Sequence, residues 1–352
     1  MKVWLDRRKA CGNFRALQTH TSQVDFASND YLGLARSSSL KEVVIQEWGK
    51  LQGVGSTGSR LLTGNRAYTE KLEGEIAAFH GSEAGLLFNC GFMANLGLIT
   101  ALAKTGATFL FDAEIHASMR EGFKLSKSRA FPFRHQDLEH LEKRLKKCSA
   151  SSDTYICVES VYSTDGSLSP LAEIGALAEA YGAQLIVDEA HAVGVFGPQG
   201  RGLAQQVFAQ VIPFGKGVGA FGAIVLGSKE LKDFLVNFAT PFMYSTALPD
   251  HCLAAIQSSY QIFPHLEVER KHLKSLIEMA HFSPSTIQPI PISGNHQARK
   301  LSCYLASKGF DVRALLSPTV QRGKEVLRLC LHAFNSKEEL TRLLSLVKAY
   351  HG

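Results

Sequence analysis

Several things are missing from this sequence, and each absence excludes a class of protein. No stretch of the 352 residues approaches the roughly eighteen uncharged apolar residues of a membrane span. The N-terminus, MKVWLDRRKACGNFRAL, has no apolar signal core, so the expected location is the cytoplasm. The seven cysteines are an odd number and include no Cys-x-x-Cys, which speaks against a disulfide framework and a zinc site. Free thiols and no metal are expected. Charge of one sign is also scarce. A net +6 is modest for this length and its Lys and Arg are dispersed, apart from small clusters such as EKRLKK near Lys143. A nucleic-acid partner is therefore not expected, whereas an acidic or phosphate-bearing one suits the sign. Internal repeats and low-complexity tracts are absent as well.

What is present is a hydrophobic content of 45%, enough for one large α/β domain and a smaller one. The apolar runs GLLFN, TFLFD, TYICVES and QLIVDEA alternate with helix-patterned stretches such as LEHLEKRLKK and PLAEIGALAEAYG. Such alternation predicts a mainly parallel sheet with helices on both faces and functional groups at the carboxyl ends of its strands. After MYSTALPD the pattern changes to a helical region over about 250–280, the segment IQPIPIS, a helix HQARKLSCYLASKG, strands FDVRALL and EVLRLCLH, and a last helix SKEELTRLLSLVKAY. The expected division is an N-terminal segment 1–35, a large α/β domain 36–245 and a small α+β domain 246–352.

The stretch VIPFGKGVGAFGA admits two readings. Gly217, Gly219 and Gly222 spell Gly-x-Gly-x-x-Gly, but a dinucleotide fingerprint needs a helix starting inside it, and here a strand-like AIVLGS follows. The other reading takes Lys216, set between two glycines, as a Schiff-base lysine with room beside it for a flat cofactor. Such a lysine needs an acidic partner for a pyridine nitrogen, and LIVDEAH places Asp188 at a strand end with His191 three residues on. GLLFNCGFMANLGLITAL offers strand, turn and helix with Gly91 and Phe92 at the junction, where backbone N–H groups could hold a phosphate. His116, just past another strand end in FDAEIHASMREG, could lie flat on a ring. Each feature alone also has an ordinary use: a strand-end aspartate as a cap, a histidine as a structural or helix-cap residue, a βα turn as a connection.

Taken in order, FASNDYLGL, GSTGSRLLTGN, LFNCGFMAN, DAEIHAS, VESVYSTDGSLSPL, VDEAHAVGVFGPQGRG, FGKGVGAFG, YSTALP and SPTVQRGKEVLRL resemble the α-oxoamine synthases, from about Asn13 to the C-terminus. The resemblance implies the fold-type I pyridoxal-phosphate transferase architecture, α/β with a mainly parallel seven-stranded sheet and a small C-terminal α+β domain. It makes Lys216 the lysine that binds the cofactor, Asp188 the partner of its pyridine nitrogen, His191 the partner of its phenolic oxygen and His116 the ring stacked on it. Ser163, Glu159, Gly91 and Phe92 match further cofactor positions. Arg328, with Asn29 beside it, matches the grip on the amino-acid carboxylate, and Arg15 and Thr319 match other substrate contacts.

The second motif looks most like the branch that acts in biotin synthesis, which implies L-alanine and a pimeloyl thioester, carried by coenzyme A or an acyl carrier protein, as substrates of a homodimer. Glycine C-acetyltransferase and 5-aminolevulinate synthase are neighbouring possibilities, and a non-catalytic relative is a further one. Four residues depart from the family's pattern. Pro213 stands where a Thr or Ser hydroxyl is usual, with Ser245 or Thr246 of a second subunit as possible compensation. Leu316 and Ser317 stand where an arginine is usual, with Arg313 the nearest substitute, and Asn335 replaces a histidine.

Overall fold

The computed structural model describes residues 1–17, 19, 23–148 and 153–351. The apolar runs become the strands β1 Ala84–Phe88, β2 Thr108–Asp112, β4 Thr154–Glu159 and β5 Gln184–Asp188, the strand-like AIVLGS becomes β7 Ala223–Gly227, and Arg129–Phe133 and Ala209–Pro213 add β3 and β6. They form one sheet in the order β1-β7-β6-β5-β4-β2-β3, with every pairing parallel except the two made by β7. The central strands are mainly apolar because both faces of the sheet are covered. On one face Phe88, Val211 and Val225 pack with the helices Gly91–Leu102, Ala117–Ser126 and Lys229–Phe238. On the other, Leu87, Ile212 and Ile224 meet Ser38–Trp48, Ala67–His80 and Asp250–Ile262, while Leu110, Ile156 and Leu185 meet Leu138–Leu145 and Leu171–Ala180.

Residue contacts divide the chain into two compact units. The larger comprises Leu32–Tyr162 and Leu168–Glu267, and the smaller comprises Met1–Tyr31, Ser163–Ser167 and Val268–Gly352. The helical region expected over 250–280 is two helices, Asp250–Ile262 and Glu267–Ala280. They are separated by a 3-10 turn, Phe263–His265, whose Pro264 has no backbone N–H to continue the first helix. The first of the two packs on Ser38–Trp48 and so belongs to the larger unit.

Within the smaller unit Val326–Cys330 is the centre of a three-stranded antiparallel sheet between Arg313–Leu315 and Ile287–Pro291. The expected strand FDVRALL is split at Val312, since Phe310–Asp311 pairs in parallel with Val24–Asp25 instead. Asn295–Ser307 and Lys337–His351 are helical. All seven cysteines are free thiols, and no helix among the described residues is long and apolar enough to cross a membrane.

One buried charge cluster joins the first strand of the sheet to its covering helices. Glu73, fully buried, accepts Arg60 at 2.7 and 3.3 Å, Lys232 Nζ at 2.8 Å and the Leu87 N–H at 2.9 Å. Glu73→Gln strands two cations around a neutral group, so unfolding stability should drop by about 3 kcal/mol. A denaturant titration showing a loss below about 1 kcal/mol, the value of an exposed pair, would contradict this account.

Candidate active site

The site in the larger unit is built around Asp188, the last residue of β5, whose carboxylate is buried. Its Oδ1 accepts the Ala190 N–H at 2.9 Å, and its Oδ2 accepts Asn95 Nδ2 at 2.7 Å. Asn95 Nδ2 also donates to Ser118 Oγ at 3.0 Å, and Ser118 Oγ lies 2.7 Å from His116 Nδ1. Because the Ser118 N–H points at the same Nδ1, that nitrogen is an acceptor, and a neutral ring carries its proton on Nε2. His116 thereby caps the helix Ala117–Ser126. Burial pushes its pKa below the ordinary histidine value, with Asp188 pulling it up and Lys216 pushing it down more weakly. The imidazole is neutral at pH 7.

The turn after Asp188 brings His191 to Lys216, with Nε2 3.0 Å from Nζ. Lys216 lies in the loop joining β6 to β7. The glycines around it answer close backbone contacts. A Cβ on Gly217 would lie 2.3 Å from the Val193 carbonyl oxygen, and Gly219, at φ +69°, would place one 2.6 Å from Leu34 Cβ. β7 begins directly after Gly222 and a helix starts only at Lys229, so the strand-turn-helix context of a dinucleotide fingerprint is absent here.

Glu159 ends β4 directly opposite Asp188 in the register and is buried. Glu189, next in sequence, turns elsewhere. It accepts the Leu203 N–H at 3.0 Å and the Ala204 N–H, and burial pushes its pKa up to about 7 against those hydrogen bonds. Gly91 and Phe92 open the helix Gly91–Leu102, which has no side-chain cap. A Cβ on Gly91 would sit 2.5 Å from Pro213 Cγ, so only glycine lets the helix start pack on that proline ring.

These donors suit pyridoxal phosphate. An uncapped helix start answers a phosphate, a buried and already hydrogen-bonded carboxylate answers a pyridinium, and an amine beside an imidazole answers an aldehyde.

A second cluster lies within the smaller unit. Arg328 donates from Nε to the Ser163 carbonyl at 2.7 Å, from one terminal nitrogen to Cys330 Sγ at 2.8 Å and from the other to Asn29 Oδ1 at 3.1 Å. The Tyr31 hydroxyl donates to the same Asn29 oxygen at 3.2 Å. Arg15 donates to Thr319 Oγ1 at 2.9 Å. Arg313 is ion-paired to Asp311 at 2.9 Å and hydrogen-bonded to its other oxygen at 3.0 Å. Asn335 takes up its histidine-replacing position by accepting the His332 N–H at 3.0 Å and donating to the Asp25 carbonyl at 3.0 Å. Sequence reasoning missed Asn95, Ser118, Tyr31 and Cys330. The one available signal was a polar Asn95 inside the otherwise apolar helix FMANLGLIT.

Residues 21–347 match the family described as Aminotransferase class I and II. The chain is 36% identical to the 8-amino-7-oxononanoate synthase of Emericella nidulans, over 94% of this chain and 90% of the relative. It is 38% identical to that of Gluconacetobacter diazotrophicus, over 92% and 87%. Among solved structures it resembles a serine palmitoyltransferase from S. paucimobilis with a bound PLP-myriocin aldimine, with TM-score 0.89, 25% identity and coverage of 99% and 96%. It also resembles the 8-amino-7-oxononanoate synthase of Francisella tularensis, with TM-score 0.78, 27% identity and coverage of 94% and 99%.

Glu189 carries a pH dependence whose sign follows from its environment. Its pKa is raised in the folded chain, so its contribution to stability is complete below about 4.5 and is lost as pH rises through about 7. Glu189→Gln removes that titration. Melting temperatures measured between about pH 5 and pH 8 should fall less in the variant than in the parent, and equal slopes would show that Glu189 does not titrate there.

Proposed function

We propose that this chain, which belongs to the class I and II aminotransferase family, is an acyltransferase of the α-oxoamine synthase branch. It condenses L-alanine with a pimeloyl thioester of coenzyme A or an acyl carrier protein. The products are 8-amino-7-oxononanoate, carbon dioxide and the free thiol, in biotin synthesis. The observation that carries this reading is the Lys216 amine 3.0 Å from His191, on the turn that starts at the buried Asp188.

Pyridoxal phosphate, when bound, supplies an aldehyde for Schiff-base formation and a protonated ring that takes up an electron pair from the alanine Cα. Lys216 would hold that aldehyde, and its free amine would move the alanine Cα proton, which is worth about a hundred- to ten-thousandfold in rate. His191 positions the amine and would meet the phenolic oxygen. Asp188 would keep the proton on the pyridine nitrogen, supported by Asn95, with Glu159 opposite it. His116 stays neutral and would present its ring face, while Gly91 and Phe92 would hold the phosphate through backbone N–H groups, and Ser163 would add a further contact. Arg328, steadied by Asn29, Cys330 and the Ser163 carbonyl, grips the alanine carboxylate, and Arg15 with Thr319 contacts the substrate. After the carbon–carbon bond forms and the thiol leaves, that carboxylate departs as carbon dioxide.

We also propose a homodimer. Leu62 and Tyr244, both 81% exposed, flank the bridge between Ser59 and Thr246 in the larger unit, an apolar surface suited to a second copy.

The test is carbon dioxide and thiol release by protein reconstituted with pyridoxal phosphate. L-alanine with a pimeloyl thioester should outpace glycine with acetyl or succinyl thioesters by about tenfold or more, and Lys216→Ala should lose at least about a hundredfold of the rate. Faster turnover of glycine would assign the chain to another branch of the family. A protein that gains no visible absorbance with the cofactor would be a non-catalytic relative.

A further inference from the structure

The smaller unit contains a cavity of about 760 Å³ between the N-terminal segment, the helix Asn295–Ser307 and the segment 313–319. Its walls include the apolar side chains of Phe14, Leu315, Leu316 and Pro318, and also four arginines, Arg8, Arg15, Arg299 and Arg313. None of the described residues lining it is acidic. Arg313 is neutralised by Asp311 and is not the substitute that its place in the sequence suggested. Arg15 is engaged by the Thr319 hydroxyl, and Arg299 donates to the Phe14 carbonyl, a neutral acceptor. Arg8 lies in the last turn of the helix Lys2–Ala10. The cavity therefore holds positive charge that no carboxylate in its own walls balances, next to Leu316 and Ser317, where the family's usual arginine is missing.

We infer that Arg8 and Arg299 bind the terminal carboxylate of the acyl chain, taking over the charge lost at Leu316 and Ser317, while Leu315, Leu316 and Pro318 line the path of its methylenes. This rests on the reading of the chain as a pimeloyl transferase. An extended chain with one charged end needs an apolar lane closed by a cation, and a guanidinium fork matches a carboxylate in shape as well as in sign. A monocarboxylic acyl group of the same length gains nothing from the arginines, so the pair sets the enzyme's preference for a dicarboxylic acyl donor.

The experiment uses the N-acetylcysteamine thioesters of pimelate and heptanoate, which share seven carbons and differ in the terminal carboxylate, and neither of which carries a phosphate. In the holoenzyme Arg8→Gln and Arg299→Gln should each lower kcat/KM for the pimeloyl thioester by about ten- to a hundredfold. The heptanoyl thioester and the KM for alanine should stay within about twofold. Equal losses for the two thioesters would mean that the arginines only hold the N-terminal segment in place, as the Arg299 contact to Phe14 allows. An effect confined to coenzyme A thioesters would assign them to the carrier's phosphates. Either result, or no effect at all, overturns the proposal.

Calorimetric binding of free pimelate against heptanoate gives a reading that does not depend on turnover. Wild-type protein should prefer pimelate and Arg8→Gln should lose the preference. If the wild type binds pimelate in this way but does not turn over alanine with the thioester, the proposed function fails and the subsite stands. If it turns over and the variants keep the full pimelate preference, the subsite fails alone.

Discussion

A carboxylate withdrawn from water at the end of a strand has to be met by donors, and much of this site follows from how Asp188 is met. A carboxylate left unpaired in an apolar interior costs several kcal/mol. Two groups meet Asp188, and each does something further. The Ala190 N–H closes the turn that carries His191 toward Lys216, and the Asn95 amide spends its second N–H on Ser118, which fixes the tautomer of His116. The orientation of two histidines is thus a consequence of satisfying one buried charge. Asn95 can reach Asp188 because the helix Gly91–Leu102 lies on the sheet face shared with Ala117–Ser126.

Position at a strand end does not by itself give a carboxylate such a role. Asp112 ends β2 as Asp188 ends β5, and it is equally buried. Its oxygens accept the Glu114 N–H at 2.8 Å and the Gln136 N–H at 2.9 Å, and one lies 2.8 Å from His135 Nδ1, which ties down the following turn and the connection after β3. Asp112 is engaged by two backbone N–H groups and the His135 ring, all of which fasten neighbouring loops. Asp188 takes one backbone donor and one side-chain donor, and each of its oxygens keeps a lone pair for a further partner.

This contrast also marks what could be read from the sequence. Strands β1, β2, β4, β5 and β7 were legible because continuous apolar runs of this length have few alternatives when helices alternate with them, whereas the largely exposed β3 offers no such run; Lys216 was legible because its flanking glycines have no use in a strand. The cause of those glycines was not legible, since the Val193 carbonyl that excludes a Cβ from Gly217 comes from a distant turn. Asn95 and Ser118 escaped for the same reason: their function is a set of partners, which only the fold assembles. The break at Phe263–His265 escaped because apolar periodicity continues on both sides of Pro264. The ion pair that engages Arg313 follows from sequence spacing, since Asp311 two positions away shares its face of the extended chain, as the period of two requires.

Pro213 is the departure with the clearest physical reading. A hydroxyl at this position would give an anion one hydrogen bond, worth about 1.5–3 kcal/mol when the partner is charged. The proline gives up that donor and packs its ring against the glycine that opens the helix Gly91–Leu102. The backbone N–H groups of that first turn and the positive end of the helix dipole do not depend on any side chain, so the substitution leaves them intact. Proline at the end of β6 also costs the sheet little, because the strand stops there and the chain turns toward Lys216. An anion held at this helix start would therefore lack one side-chain contact while keeping the part of its affinity that the fold itself supplies.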